Sequence, residues 1–230
     1  MSKLSLIIPV YKGEKEIEST LALLAKNFPN EEIIVVNDCS PDKTKEKIFS
    51  LLGIYPQICY LENDKNSGKG FSLKKGVLKA KGEFIIFTDH DLPYGIEGIN
   101  KVYQELLKGA KIVIGKRKEF YNVSSTRKIF RPFLYFFIKI FFGLSYKDTQ
   151  CGLKGFEAET GKKIFSLATV NRFGIDIEIL YLAKLMKIPV KEVIVEQKRG
   201  FNTTTFHFKD FIKIFLDLLK IRFHHYEIQG

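Results

Sequence analysis

The sequence predicts an α/β protein, a mostly parallel sheet with helices on both faces. Two observations carry that prediction. Apolar runs of strand length alternate with amphipathic segments of helical period through the first 90 residues, which is the pattern of βαβ units. Each apolar run then ends in a polar cluster, and ligands in such sheets bind beyond the carboxyl ends of the strands. With 230 residues, 45% of them apolar, the chain can bury a substantial core.

Taken in order, "LSLIIPVY" (4–11) reads as a buried strand and "EKEIESTLALLAKNF" (14–28) as a helix with Ile17, Leu21 and Leu24 on its apolar face. "EEIIVVND" (31–38) is the second strand, closed by the turn-rich "CSPDKT" (39–44). The helix "KEKIFSLL", the strand "QICYLEND", the helix "GFSLKKGVLKAK" and the strand "EFIIFTD" (83–89) follow. Beyond them come a strand "AKIVIGKR" (110–117), a polar loop and a Phe-rich segment (129–144). The loop "KDTQCGLKGF" (147–156), a helix "IDIEILYLAKLMK" (175–187) and a strand "KEVIVEQ" (191–197) complete the domain. No repeat or low-complexity linker interrupts the chain, so residues 1–205 read as one domain and 206–230 as an amphipathic tail.

In that C-terminal amphipathic helix, Asp210, Lys213, Asp217 and Lys220 recur at helical spacing. They leave Phe211, Ile212, Phe215, Leu218 and Leu219 on a broad apolar face. Such a helix packs on its own domain, pairs with a partner or lies on a bilayer. The Phe-rich segment suits either a buried core helix or a membrane interface, and Arg131 beside it favours the interface. Arg131 and Lys139 interrupt it, so it falls short of the roughly 18 apolar residues a span needs.

The 37 Lys plus Arg outnumber the 26 Asp plus Glu, for a net charge of +11. That balance favours nucleic acid, anionic lipid headgroups or phosphorylated substrates. The lysines are spread along the whole chain rather than gathered in a stripe, so nucleic acid ranks last. Cys39, Cys59 and Cys151 are scattered and odd in number, which excludes a disulfide framework and a CxxC zinc site and fits a reducing cytosol. The N-terminal apolar run is too short for a signal-peptide core.

The chemistry concentrates in "EFIIFTDHDLPY" (83–94). In an extended segment residues i and i+2 share a face, so Asp89 and Asp91 can address one hard cation, Mg²⁺ or Mn²⁺, with His90 pointing away. An ordinary acidic turn is the alternative reading of an isolated DxD. Three neighbours strengthen the metal reading. Asp38 follows a strand where it could accept from a base or ribose, and Tyr11 follows another where its ring could flank the base. "NSGKG" (66–70) brings Lys69 to a helix start, where anions are well received. Turn chemistry explains each singly; their joint position is the argument. Neither GxGxxG nor GxxxxGK[ST] occurs, which excludes the dinucleotide fingerprint and the Walker A loop.

"LIIPVYKGEKEI", "IIVVNDCSPDKT", "NSGKGFSLKKGVLKAKGEFIIFTDHDL" and "DTQCGLKGF" together resemble the inverting family 2 glycosyltransferases of GT-A (Rossmann-like) fold, specifically the dolichyl or polyprenyl phosphate sugar synthases. The resemblance covers about residues 4–200. It implies a donor-binding half (1–115) and an acceptor half (116–205). In the first, Pro9, Tyr11, Glu14, Asp38 and Lys69 line the nucleotide-sugar pocket and Asp89 and Asp91 hold the metal. Arg117, Arg127 and Arg131 fall where the family contacts the acceptor phosphate, and Gln150, Asp176 and Glu178 where it orients the sugar. The last two alternatively cap their helix.

Two departures stand out: Asn37 replaces the first of the usual two acids, and Pro93 stands where mannosyl members often carry glutamine. "DTQCGLKGF" followed by "NRFGIDIEILYLAK" is closer to the dolichyl-phosphate glucose synthases. Hexose transfer from UDP-glucose to a polyprenyl phosphate is therefore the expectation, with GDP-mannose or UDP-N-acetylglucosamine as other donors. The expected setting is the cytoplasmic face of a membrane, with a membrane-embedded subunit as a further partner. A GT-A enzyme with a polysaccharide or soluble acceptor, a sugar nucleotidyltransferase, and a non-enzymatic basic binding protein are the rival readings.

Overall fold

The computed structural model describes residues 3–118, 135–197 and 208–228, with side chains of the last helix described from 214. Seven strands form one sheet: β1 (Leu4–Val10), β2 (Glu32–Asn37), β3 (Ile58–Glu62), β4 (Phe84–Phe87), β5 (Ile112–Arg117), β6 (Lys154–Glu157) and β7 (Val190–Val195). Their order is β3-β2-β1-β4-β6-β5-β7. β1 pairs in parallel with β2 and β4, as does β2 with β3 and β5 with β7. β6 alone runs antiparallel, to both β4 and β5.

The helices are α1 (Ile17–Asn27), α2 (Thr44–Leu52), α3 (Lys69–Lys79) and α4 (Gly95–Leu107). They continue with a helical segment over 135–142, α5, then α6 (Ala158–Leu167), α7 (Ile175–Leu185) and α8 (Phe208–Phe223). Strand alternation divides the core in two, because successive side chains leave opposite faces of a sheet. Ile7, Ile34, Val36, Ile85, Phe87, Ile112 and Ile114 face α3 and α5–α8. Leu6, Ile8, Val10, Ile33, Val35, Ile86 and Val113 face α1, α2 and α4. Ile17, Leu21 and Leu24 are fully buried, as the helical period predicts.

Two sequence expectations are corrected. The loop expected at 147–156 ends in β6, whose Lys154, Gly155 and Phe156 carry no strand-like alternation because Lys154 itself is buried. Asp89 to Asp91 are not extended either. β4 stops at Phe87, and the Leu92 amide donates to the Asp89 carbonyl at 3.0 Å, closing a turn. α4 and α6 are additions to the sequence pattern.

Of the outcomes open to the C-terminal helix, packing on its own domain is realised. Ile214, Leu218 and Ile221 are buried, the Phe215 ring meets Phe137 of α5 at 5.2 Å, and Tyr226 donates to buried Glu178 at 2.7 Å. Phe136, Ile140 and Phe141 of α5 and Leu216 and Phe223 of α8 remain exposed. Among the described residues no helix is long and apolar enough to cross a membrane.

Candidate active site

The turns after β1, β2, β3 and β4 lie at one end of the sheet, where the strand order reverses at β1. Backbone bonds tie these strand ends together. The Asp38 amide donates to the Val10 carbonyl at 2.8 Å, and the Asn63 amide to the Asn37 carbonyl at 2.9 Å. Three non-glycine residues at this end, Lys12, Cys39 and Leu92, have φ of 56°, 55° and 50°. Left-handed backbone of this kind costs on the order of 1 kcal/mol or more per residue and gathers where function dictates the path of the chain.

Asp38 is buried and its carboxylate organises the glycine loop. One oxygen accepts from Asn63 Nδ2 and the Ser67 amide, the other from the Gly68 amide, all at 2.8 Å. It sits at the positive end of α3, the favoured position for a carboxylate. Gly68, with φ of 98°, and Gly70 press against the backbone of Asn171 and Val170, where a Cβ would lie 2.4 and 2.5 Å from their carbonyl oxygens. The loop thus aims Lys69, the first residue of α3, across the crevice.

Asn37, the departure from the two-acid pattern, does what a second carboxylate could not. Its amide donates to Tyr60 and Glu62 while its carbonyl accepts from the amide and hydroxyl of Ser40. Tyr11 is exposed at the end of β1 and Pro9 is buried within it. Glu14 accepts from the Lys43 amide at 3.1 Å, joining the first and second turns.

Lys69 Nζ lies 2.6 Å from Asp89 Oδ1. Burial alone would lower the lysine's pKa, but the charges of Asp89 and Asp176 overrule it and hold the ammonium firmly protonated. Burial likewise opposes ionisation of Asp89, yet Lys69 keeps its carboxyl below the usual range, with His90 and Lys154 assisting. Asp91 goes the other way: burial, then the charge of Asp89, raise it. The turn therefore brings the two carboxylates into electrostatic contact even without an extended backbone. His90 packs its ring over Gly13, where a Cβ would come within 2.9 Å of its Cδ2.

The segment after Asp148 closes the site from the far side. A Cβ on Gly152 would fall 2.0 Å from Asp89 Oδ2, so any larger residue there would displace this carboxylate. Beneath it, fully buried Lys154 donates to the Cys151 carbonyl at 2.6 Å and to the Asp176 carboxylate. Lys154 was not singled out from sequence, because a lysine in "LKGF" reads as solvated surface. Burial, with Asp148, pushes the Cys151 thiol up to about 11, so it is no thiolate nucleophile.

Arg117 grips Asp148 bidentately, Nε to Oδ2 at 2.7 Å and a terminal nitrogen to Oδ1 at 2.6 Å. Glu178 is engaged by the Thr169 amide and hydroxyl, the Val170 amide and Tyr226. These bonds tie α7 to residues 169–170 and to Tyr226 and do not cap the helix, whose N-terminus has no side-chain cap. Gln150 is half-buried in the turn between Asp148 and Cys151. Arg127 and Arg131 lie outside the described residues. Two buried oxygens without a hydrogen-bond partner, Asn63 Oδ1 and Thr88 Oγ1, sit at the ends of β3 and β4. Orphaned acceptors of this kind suit a polar ligand or ordered water.

Comparison with known proteins places this geometry. The profile described as "Glycosyl transferase family 2" matches residues 5–161. A dolichyl-phosphate beta-glucosyltransferase of Trichomonas vaginalis is 33% identical over 240 residues, covering 96% of this chain and 73% of that protein. Proteins of the same name from Dictyostelium discoideum and Homo sapiens are 31% and 28% identical. Each comparison covers 96% of this chain, with 74% and 75% of the relatives.

Among solved structures, glucosyl-3-phosphoglycerate synthase of Mycobacterium tuberculosis with UDP superposes with a TM-score of 0.72 at 18% identity. It covers 96% of this chain and 80% of that one. The same enzyme has been crystallised with Mn²⁺ or Mg²⁺ and UDP. Mannosyl-3-phosphoglycerate synthase of Rubrobacter xylanophilus gives 0.71 at 14% identity, covering 96% of this chain and 72% of that one. These structural likenesses establish the shared fold. With its sheet order, its DxD turn and a family match over most of its length, the chain belongs to glycosyl transferase family 2.

Proposed function

We propose that the protein transfers glucose from UDP-glucose to a dolichyl or polyprenyl phosphate, inverting the anomeric centre. The observation that carries this reading is the Asp89–Asp91 turn, faced by Lys69 and closed by Gly152, in a chain similar over 96% of its length to dolichyl-phosphate beta-glucosyltransferases.

The donor set fits a hard divalent cation. Asp89 and Asp91 offer carboxylate oxygens, and the mutual charge that raises Asp91 is what a cation between them would relieve. Among the described residues no cluster of three or more His, Cys, Asp or Glu side chains forms a complete cage. The remaining ligands would come from diphosphate and water, as is usual for Mg²⁺ and Mn²⁺. Such an ion supplies charge stabilisation for the departing diphosphate.

This chain's residues do the positioning. Tyr11 stands exposed to flank the base, and Asp38 holds the glycine loop so that Lys69 reaches the diphosphate. Lys154 and Asp176 form a buried pair behind Lys69 and Asp89 that fixes the floor of the site. An oxygen of the lipid phosphate attacks C1 of the sugar. The C1–O bond to the diphosphate breaks, and its electron pair leaves with the nucleoside diphosphate. The nucleophile is already anionic at neutral pH, so no strong base is needed, and arginine forks suit its alignment. Arg127 and Arg131 are proposed for that contact. Arg117, held by Asp148, anchors the strand that leads to them.

The exposed Phe136, Ile140, Phe141, Leu216 and Phe223, with the exposed cations Lys139, Lys220 and Arg222, support docking at a membrane surface, on its cytoplasmic face. Purified protein, Mn²⁺ and each of UDP-glucose, UDP-N-acetylglucosamine and GDP-mannose would be offered short-chain polyprenyl phosphate, the matching polyprenol, or 3-phosphoglycerate. Glycolipid formed only from UDP-glucose and the lipid phosphate is the expected result. Transfer to the soluble phosphate alone would overturn the acceptor assignment.

A further inference from the structure

We infer that Lys69 is an internal stand-in for the metal: its ammonium holds the cation position on Asp89 and yields it only when a diphosphate arrives to receive it. Cation and diphosphate then bind together rather than singly. This deepens the reading that Asp89 and Asp91 hold a divalent ion, and rests on it.

The argument begins with the two oxygens of Asp89. Oδ1 is taken by Lys69 Nζ at 2.6 Å, and Oδ2 lies against the backbone at Gly152, with no room for even a methyl group between them. A divalent ion binding a carboxylate oxygen at about 2.0–2.2 Å cannot share Oδ1 with an adjacent ammonium without strong charge repulsion. The ammonium therefore opposes metal binding on Asp89 for as long as it stays there.

Leaving is restricted by what surrounds the lysine. Its stem is anchored, because Gly68 and Gly70 on either side are pressed onto the Asn171 and Val170 carbonyls and the Gly68 amide is held by Asp38. Only side-chain rotation can carry the ammonium away. The lysine side chain is 16% exposed, so water offers it little. Asp176 is the nearby acid on the protein's side, and it is already engaged by Lys154. An ammonium displaced by metal alone would be buried without a full counter-ion, a costly state. A diphosphate entering beside the metal supplies the missing anion. Binding one ligand then favours the other, and by linkage the effect is reciprocal.

The experiment is titration of Mn²⁺ by electron paramagnetic resonance, with and without UDP, and with GDP in parallel. It is run on the wild type, Lys69→Met, Lys69→Gln and Lys69→Arg. In the absence of nucleotide, Lys69→Met and Lys69→Gln are expected to bind Mn²⁺ on the order of tenfold tighter than the wild type. They should also gain less affinity on adding nucleotide, while Lys69→Arg keeps the wild-type pattern. If both neutral variants bind Mn²⁺ no tighter than the wild type while nucleotide still recruits Mn²⁺ normally, the stand-in role is wrong and the metal site stands. If no protein binds Mn²⁺ with either nucleotide, the metal site itself is wrong and the inference falls with it.

Discussion

Asp89 and Gly152 meet so closely that a single methyl group at position 152 would lie 2.0 Å from the carboxylate oxygen. The residue 63 positions downstream therefore sets where the Asp89 carboxylate points. Gly152→Ala is expected to displace Asp89 and reduce kcat/KM by about 10²-fold, the cost of roughly an ångström of misplacement at a reacting centre. Circular dichroism should show an unchanged fold, so the loss is read as one of position.

Replacing the acids themselves separates function from stability. Asp91→Asn should lower turnover by about 10²–10³-fold, as loss of a principal electrostatic contact does. The same change should raise the melting temperature of the metal-free protein by about 2–4 °C. The sign follows from linkage. A folded pKa above the ordinary 3.8 means that stability falls as pH rises from that value through the raised one, so at neutral pH the charge is destabilising. Thermal melts at pH 7 with and without Mn²⁺ check both parts.

Asp148 and Asp89 titrate the other way. Burial resists their ionisation, but Arg117 and Lys69 lower the pKa of each below 3.8. Their contribution to stability is present above the unfolded value and is lost as pH falls through the lower folded values. The melting temperature should therefore hold near pH 5 and drop below about pH 4, and Asp148→Asn should flatten that drop.

The Arg117–Asp148 fork is buried on both sides, with side chains 14% and 3% exposed. Arg117→Ala leaves Asp148 without its partner and should cost about 3–5 kcal/mol in denaturant unfolding, whereas the double variant with Asp148→Ala recovers much of that loss. A pure acceptor contact would instead lower activity and leave unfolding unchanged.

The first half of the chain was largely legible in the sequence because each strand there is a short apolar run ending in its own polar cluster. Tyr11, Asp38 and Asp89 sit in the turns that this pattern marks, and Lys69 opens the helix that follows the third. The pairing of Lys69 with Asp89 was not legible, since the residues are 20 apart and meet only after β4 docks beside β1. β6 was hidden for a different reason. A four-residue strand with a buried lysine and a glycine has neither the length nor the alternation that strand reading depends on. Its lysine finds Asp176 only across the fold. The DxD turn shows the limit of local rules: the i, i+2 argument assumes extended backbone, and the Asp89–Leu92 turn brings the acids together by another route.

The most direct test of the central claim is glycolipid formation by the purified protein from UDP-glucose and a short polyprenyl phosphate with Mn²⁺, followed by mass spectrometry and by the anomeric configuration of the product. The account predicts a hexosyl polyprenyl phosphate of inverted configuration, abolished by EDTA and restored by excess Mn²⁺. Undiminished product in EDTA, or retained configuration, would contradict it.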